Sequence, residues 1–102
     1  MNDIDPDELS RAVVLWTGYE SAAFPTRDDA ALADMFSPQL AANLLSIVQA
    51  IEKEFYRSEA HITAASLSEM GEIASKDFKR QYPELPAVIA EAFAWCYTFD
   101  YK

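Results

Sequence analysis

The chain closes on FAWCYTFDYK, residues 93–102, and the reading of this stretch decides the fold. Phe93, Trp95, Tyr97, Phe99 and Tyr101 stand at alternate positions, which is the period of a β-strand. A strand must find partners for its backbone N–H and C=O groups. The only other strand-like run is Val13 to Tyr19, and two isolated strands are marginal unless helices cover them. The residues just upstream argue for helix. AVIAEAFAW, 87–95, is rich in good helix formers and contains no stop signal. On a helical wheel Glu84, Glu91, Thr98 and Lys102 share one narrow sector, while Val88, Ile89, Ala92, Phe93, Cys96 and Phe99 fall opposite. A helix over 86–101 explains both sectors; a strand explains only the aromatics. The apolar arc of this helix is about 260° wide, more than one packing face needs. It therefore lies at the centre of a bundle or gives part of its surface to a second chain. Tyr97 and Tyr101, beside Asp100, are the aromatics expected to face outward.

Four more helices are expected upstream. Asp5-Pro6-Asp7-Glu8 starts the first, with Asp5 as cap, proline at the first helical position and acids at the positive end of the dipole. It spans 6–17 and ends at Gly18, although 12–19 also has strand-like composition. Tyr19 to Pro25 has no period and reads as a connection whose aromatics pack on the core. The second helix covers 27–36, capped by Thr26, with Asp28 and Asp29 in its first turn. Ser37-Pro38 opens the third, 38–57, where Leu40, Leu44, Ile47, Val48, Ile51 and Phe55 recur at spacings of three and four. Ser58 to Ala65 is ambiguous. Ser66 to Glu69 matches a capping box and opens the fourth helix, 66–82, with Leu67, Met70, Ala74, Phe78 and Tyr82 as its core face. Gly71 inside that helix costs about 1 kcal/mol against alanine, and it suits either close approach by a neighbour or, equally, a loose surface position. The expectation is an all-α, single-domain bundle of four to five helices, about 6–17, 27–36, 38–57, 66–82 and 86–101.

A chain of 102 residues with 51% hydrophobic and 25% charged side chains has the composition of one globular domain. Its net charge of −9 disfavours nucleic acid and anionic membrane surfaces, and suits a basic protein partner. The single cysteine, Cys96, cannot form an internal disulfide, consistent with a reducing, cytoplasmic setting. MNDIDPDELS lacks the apolar run of a signal peptide, and no stretch of the sequence is apolar enough to span a membrane.

The chemistry on offer is sparse. There is one histidine, His61, read as a solvated surface residue. No paired-histidine, Glu-x-x-His or Cys-x-x-Cys spacing suggests a metal. Nucleotide-binding and hydrolase glycine motifs are missing, so no cofactor or catalytic residue is assigned. Cys96 reads as a buried, inert thiol. The acidic pairs Asp28/Asp29, Glu52/Glu54 and Glu69/Glu72 are accounted for by a helix start and by solvated helix faces. The candidate contact residues are Tyr19, Glu20, Arg27, Asp28, Trp95, Tyr97, Asp100 and Tyr101, with an Arg27–carboxylate clamp as the structural account of the irregular stretch. These features favour a protein acting through protein–protein contact, as a homodimer or with another partner. A small-molecule binder or enzyme with an aromatic pocket around Trp16, Tyr19, Trp95 and Tyr97 is the second reading. An immunity- or antitoxin-type inhibitor of a basic toxin is the third.

Overall fold

The computed structural model describes residues 5–102. The expectation for MNDIDPDELS falls partly on residues 1–4, outside the described residues. Among those described there is no strand, and the helices in order are α1 (Pro6–Thr17), α2 (Asp29–Met35), α3 (Pro38–Phe55), α4 (Ala60–Thr63), α5 (Leu67–Gln81) and α6 (Ala87–Asp100). Of the two stretches with strand-like composition, 12–19 is helical through Thr17 and 93–101 through Asp100, each closing in a turn.

Local signals explain most boundaries. The Asp5 carboxylate accepts from the Asp7 N–H, and Gly18 closes α1 at φ 80°, a conformation costly for any side chain. A Cβ at Gly18 would also lie 2.9 Å from that of Ala22. The hydroxyls of Ser37 and Ser66 accept from Leu40 N–H and Glu69 N–H, capping α3 and α5. The second helix starts at Asp29, not 27. Thr26 does not cap it: its hydroxyl donates to the Trp16 carbonyl at 3.0 Å. Asp28 takes the cap, and Arg27 sits at φ 48°, outside the helical region. The amides of Thr26 and Asp28 reach back to the carbonyls of Thr17 and Trp16. The connection thus satisfies acceptors that the end of α1 leaves open.

α6 is the central element, packed on α1, α3 and α5. Ile89, Ala92, Phe93, Cys96 and Tyr97 are fully buried, and the apolar arc is used up largely by neighbours within the chain. Phe55 of α3 anchors the aromatic core, with ring centroids 5.4 Å from Phe78, 5.8 Å from Phe93 and 5.7 Å from Tyr97. One expected core residue, Leu67, lies at the surface instead, and Met35 is exposed as well. Leu67 opens the first turn of α5, where nothing packs over it, and is 47% exposed. Met35 ends the short α2, of which only Leu32 is fully enclosed. Phe24, expected to pack on the core, is likewise 57% exposed, its ring centroid 6.4 Å from that of the surface aromatic Phe99.

α5 and α6 form an antiparallel hairpin. Gly71 sets their separation: a Cβ there would stand 3.1 Å from Thr98 Cγ2. The expectation of close approach at this glycine therefore agrees with the packing.

Candidate functional site

Six of the eight candidate contact residues gather in three places. Tyr19 and Trp95 come together, ring centroids 5.8 Å apart, on the wall of a groove between α5 and α6. Arg27 and Asp100 come together in a buried-edge clamp. Tyr97 and Tyr101 belong to a cluster around His61. Asp28 is occupied as the α2 cap, and Glu20 holds a turn at φ 70°.

The clamp joins three parts of the chain. Arg27 Nε donates to Glu52 at 2.8 Å, and its Nη2 donates to Asp100 at 2.9 Å and to the Tyr56 hydroxyl at 2.9 Å. Tyr56 in turn donates to Asp100. Burial works against the Arg27 charge, but the bond and field of Glu52, with Tyr56 and Asp100, outweigh it and hold its pKa above the ordinary value. Burial, followed by the bond to Asp100, pushes the Tyr56 phenol upward. The cluster thus fastens α3 and α6 to the α1–α2 connection.

Tyr97 is a core residue, contrary to its place among the outward-facing aromatics. Its hydroxyl donates to the Ser58 carbonyl at 2.8 Å and accepts from the His61 backbone N–H at 3.0 Å. The His61 ring nitrogen Nδ1 lies 2.7 Å from the same oxygen. With the phenol proton donated to the Ser58 carbonyl, a hydrogen on Nδ1 completes the bond to the Tyr97 oxygen. Tyr101, 43% exposed, stacks on the His61 ring at 4.2 Å. His61 is exposed, as expected, but it covers the Tyr97 hydroxyl and is held on both sides. Cys96 is fully buried, and burial pushes its thiol up to about 12. Among the described residues no group of three His, Cys, Asp or Glu side chains could hold a metal.

The α5/α6 groove has a volume of about 630 Å³. Its floor is made of small residues: Ser68, Gly71 and Ser75 from α5, Ala94 and Thr98 from α6. Leu67 and Phe99 line one end, and Trp95 with Tyr19 forms a wall. Burial, reinforced by Glu91 and Glu20, raises the Tyr19 phenol, so it stays neutral. Charges stand at the edge: Lys76, Lys79 and Lys102 with Glu72 and Glu91. Lys102 Nζ lies 4.3 Å above the Phe99 ring. Of the expected aromatic pocket, only Tyr19 and Trp95 reach this groove. The Trp16 indole instead donates to Asp29 at 2.8 Å, and Tyr97 is enclosed.

Of the fourteen residues that line this groove, only Tyr19 and Trp95 stood among the candidate contact residues, and the α5 side was missed. Ser68, Gly71 and Ser75 recur at spacings of three and four, so a stripe of small residues was visible along α5. No protein-family model, curated protein or solved structure matches the chain. Among the described residues, no helix is long and apolar enough to cross a membrane.

Proposed function

We propose that this protein is a binding protein that acts through non-covalent contact with a protein partner at the α5/α6 groove. The observation that carries this reading is an open apolar groove, walled by Tyr19 and Trp95, in which no buried polar group converges on a common point. Small-molecule sites combine apolar walls with a few fixed polar groups that orient the ligand. Here the charged groups stand on flexible stems at the edge. Aromatic and aliphatic side chains around a small-residue floor suit the side chains of a polypeptide. Catalysis has no support of comparable weight: the histidine, the cysteine and the clamp are each engaged or buried.

The test is photo-crosslinking from defined positions in cells. A photoreactive residue at Ser68, on the groove, should give a discrete protein adduct. The same residue at Gln39, exposed on α3, should not. The Leu67→Glu substitution, which sets a charge on an exposed residue of the groove, should abolish the Ser68 adduct while leaving the melting temperature close to that of the parent. Equal adducts from both positions, or none from Ser68, would contradict the reading. An adduct of twice the chain's own mass would identify the partner as a second copy.

A further inference from the structure

The groove differs in charge from the rest of the molecule. The chain has eight cationic side chains. Three are neutralised locally: Arg27 by Glu52 and Asp100, Arg57 by Glu54, and Arg80 by Asp77. Among the described residues, the five that make no ion pair include Lys76, Lys79 and Lys102, and all three stand on the groove. Against Glu72 and Glu91 they leave the groove at +1, so the rest of the −9 chain carries −10. Of the three grooves among the described residues, it is the one whose lining carries more positive than negative charge.

The cations are also spread along its length. Because α5 and α6 are antiparallel, Lys79 lies toward the loop between them, while Lys102 lies at the far end beside Phe99 and Leu67. From Leu67 to Lys79 the groove runs twelve residues of helix, about 18 Å at 1.5 Å per residue. That length matches three turns of a second helix. Two antiparallel helices with a floor of Gly71, Ser75 and Ala94 offer the furrow into which a third helix packs, and the described residues expose no sheet edge for strand addition.

Resting on the docking function proposed above, we infer that the occupant is an amphipathic helix of about three turns, with an aliphatic or aromatic stripe and acidic residues along its edges. The stripe sits between Trp95 and Leu67, and its carboxylates meet Lys76 and Lys79 on one side and Lys102 at the end. A second copy of this chain fits poorly. It carries −9 itself, and its long helices turn their apolar stripes inward, leaving only scattered exposed residues such as Phe24 and Ile62.

The experiment uses the full chain and three fluorescein-labelled synthetic peptides of fourteen residues. They share a leucine stripe at i, i+3, i+4, i+7 and i+11, and carry Glu, Gln or Lys at the flanking positions. Fluorescence anisotropy should rank them Glu, then Gln, then Lys. The triple variant Lys76→Gln/Lys79→Gln/Lys102→Gln should weaken the Glu peptide on the order of tenfold, as expected for three partly screened ion pairs, and leave the Gln peptide unchanged. Leu67→Glu should weaken all three. The inference is overturned if the Lys peptide binds as tightly as the Glu peptide, or if the triple variant binds both alike. It is also overturned if no peptide saturates while Ser68 still crosslinks to a protein; docking would then stand and the acidic helix would fall. Loss of the crosslink as well would remove the docking function itself.

Discussion

Removing the hydroxyl of Tyr97 separates a core role from a contact role for this residue. Tyr97→Phe keeps the ring, its 5.7 Å contact with Phe55 and its 5.2 Å contact with Tyr56. It deletes one donor and one doubly used acceptor. The Ser58 carbonyl, on a residue 9% exposed, loses its partner at 2.8 Å. The His61 N–H and Nδ1 lose theirs at 3.0 and 2.7 Å, but His61 is exposed and water can replace them. One buried acceptor left unpaired costs about 1–3 kcal/mol, and the two solvated bonds add little. The expected loss is therefore about 2 kcal/mol, or roughly 8–16 °C in Tm for a domain of this size. Urea unfolding followed by far-UV circular dichroism measures it, with m unchanged so that the shift in midpoint reports stability. Tyr101→Phe, by contrast, deletes an exposed hydroxyl and should stay within about 0.5 kcal/mol of the parent. If Tyr97→Phe were as stable as Tyr101→Phe, the hydroxyl network would not be holding the Ser58–His61 segment against α6.

Other outcomes follow from the same geometry. Truncation after Ala94 removes Trp95 to Lys102, including the buried Cys96 and Tyr97, and should leave no cooperative thermal transition; a melt near the parent temperature would mark the segment as a dispensable tail. Arg27 holds φ 48°, so Arg27→Gly should be more stable than Arg27→Ala by about 1 kcal/mol, because both lose the clamp but only alanine keeps the backbone cost; equal stabilities would remove the strain. Cys96 ionises near 9 when exposed but only at about 12 when folded. The folded state thus favours the neutral thiol. Its contribution to stability is complete below pH 9 and falls by about 1.4 kcal/mol per pH unit above it, until about pH 12. Cys96→Ala should flatten that slope in unfolding titrations between pH 9 and 10. At pH 8 the native thiol should be inert to a disulfide reagent that labels the unfolded chain at once.

Local features were the most legible in the sequence. Asp5, Gly18, Ser37 and Ser66 act where they stand because capping involves neighbours only a few residues away. The closing segment was legible too, since its polar sector has the period of a helix and not of a strand. What escaped depends on distant partners. Tyr97 and Tyr101 are one turn apart on the same face of α6, and only the Ser58–His61 segment, which covers the first and stacks on the second, separates them. Thr26 looks like a helix cap until the Trp16 carbonyl claims its hydroxyl. The acid expected to hold Arg27 proved to include Asp100, 73 residues away. The groove was partly visible because its α6 wall is aromatic, whereas its α5 side consists of small residues and lysines that look like an ordinary solvated face.

For the proposed docking of a partner between α5 and α6, the two tryptophans provide an internal comparison. Trp95 lines the groove, while the Trp16 indole is bonded to Asp29 elsewhere. In a ¹⁵N-resolved NMR titration with the Glu-flanked peptide, or with the partner captured from Ser68, the Trp95 indole N–H signal should move progressively to saturation and the Trp16 signal should stay in place. A Trp16 signal that moves while Trp95 remains still would contradict that docking.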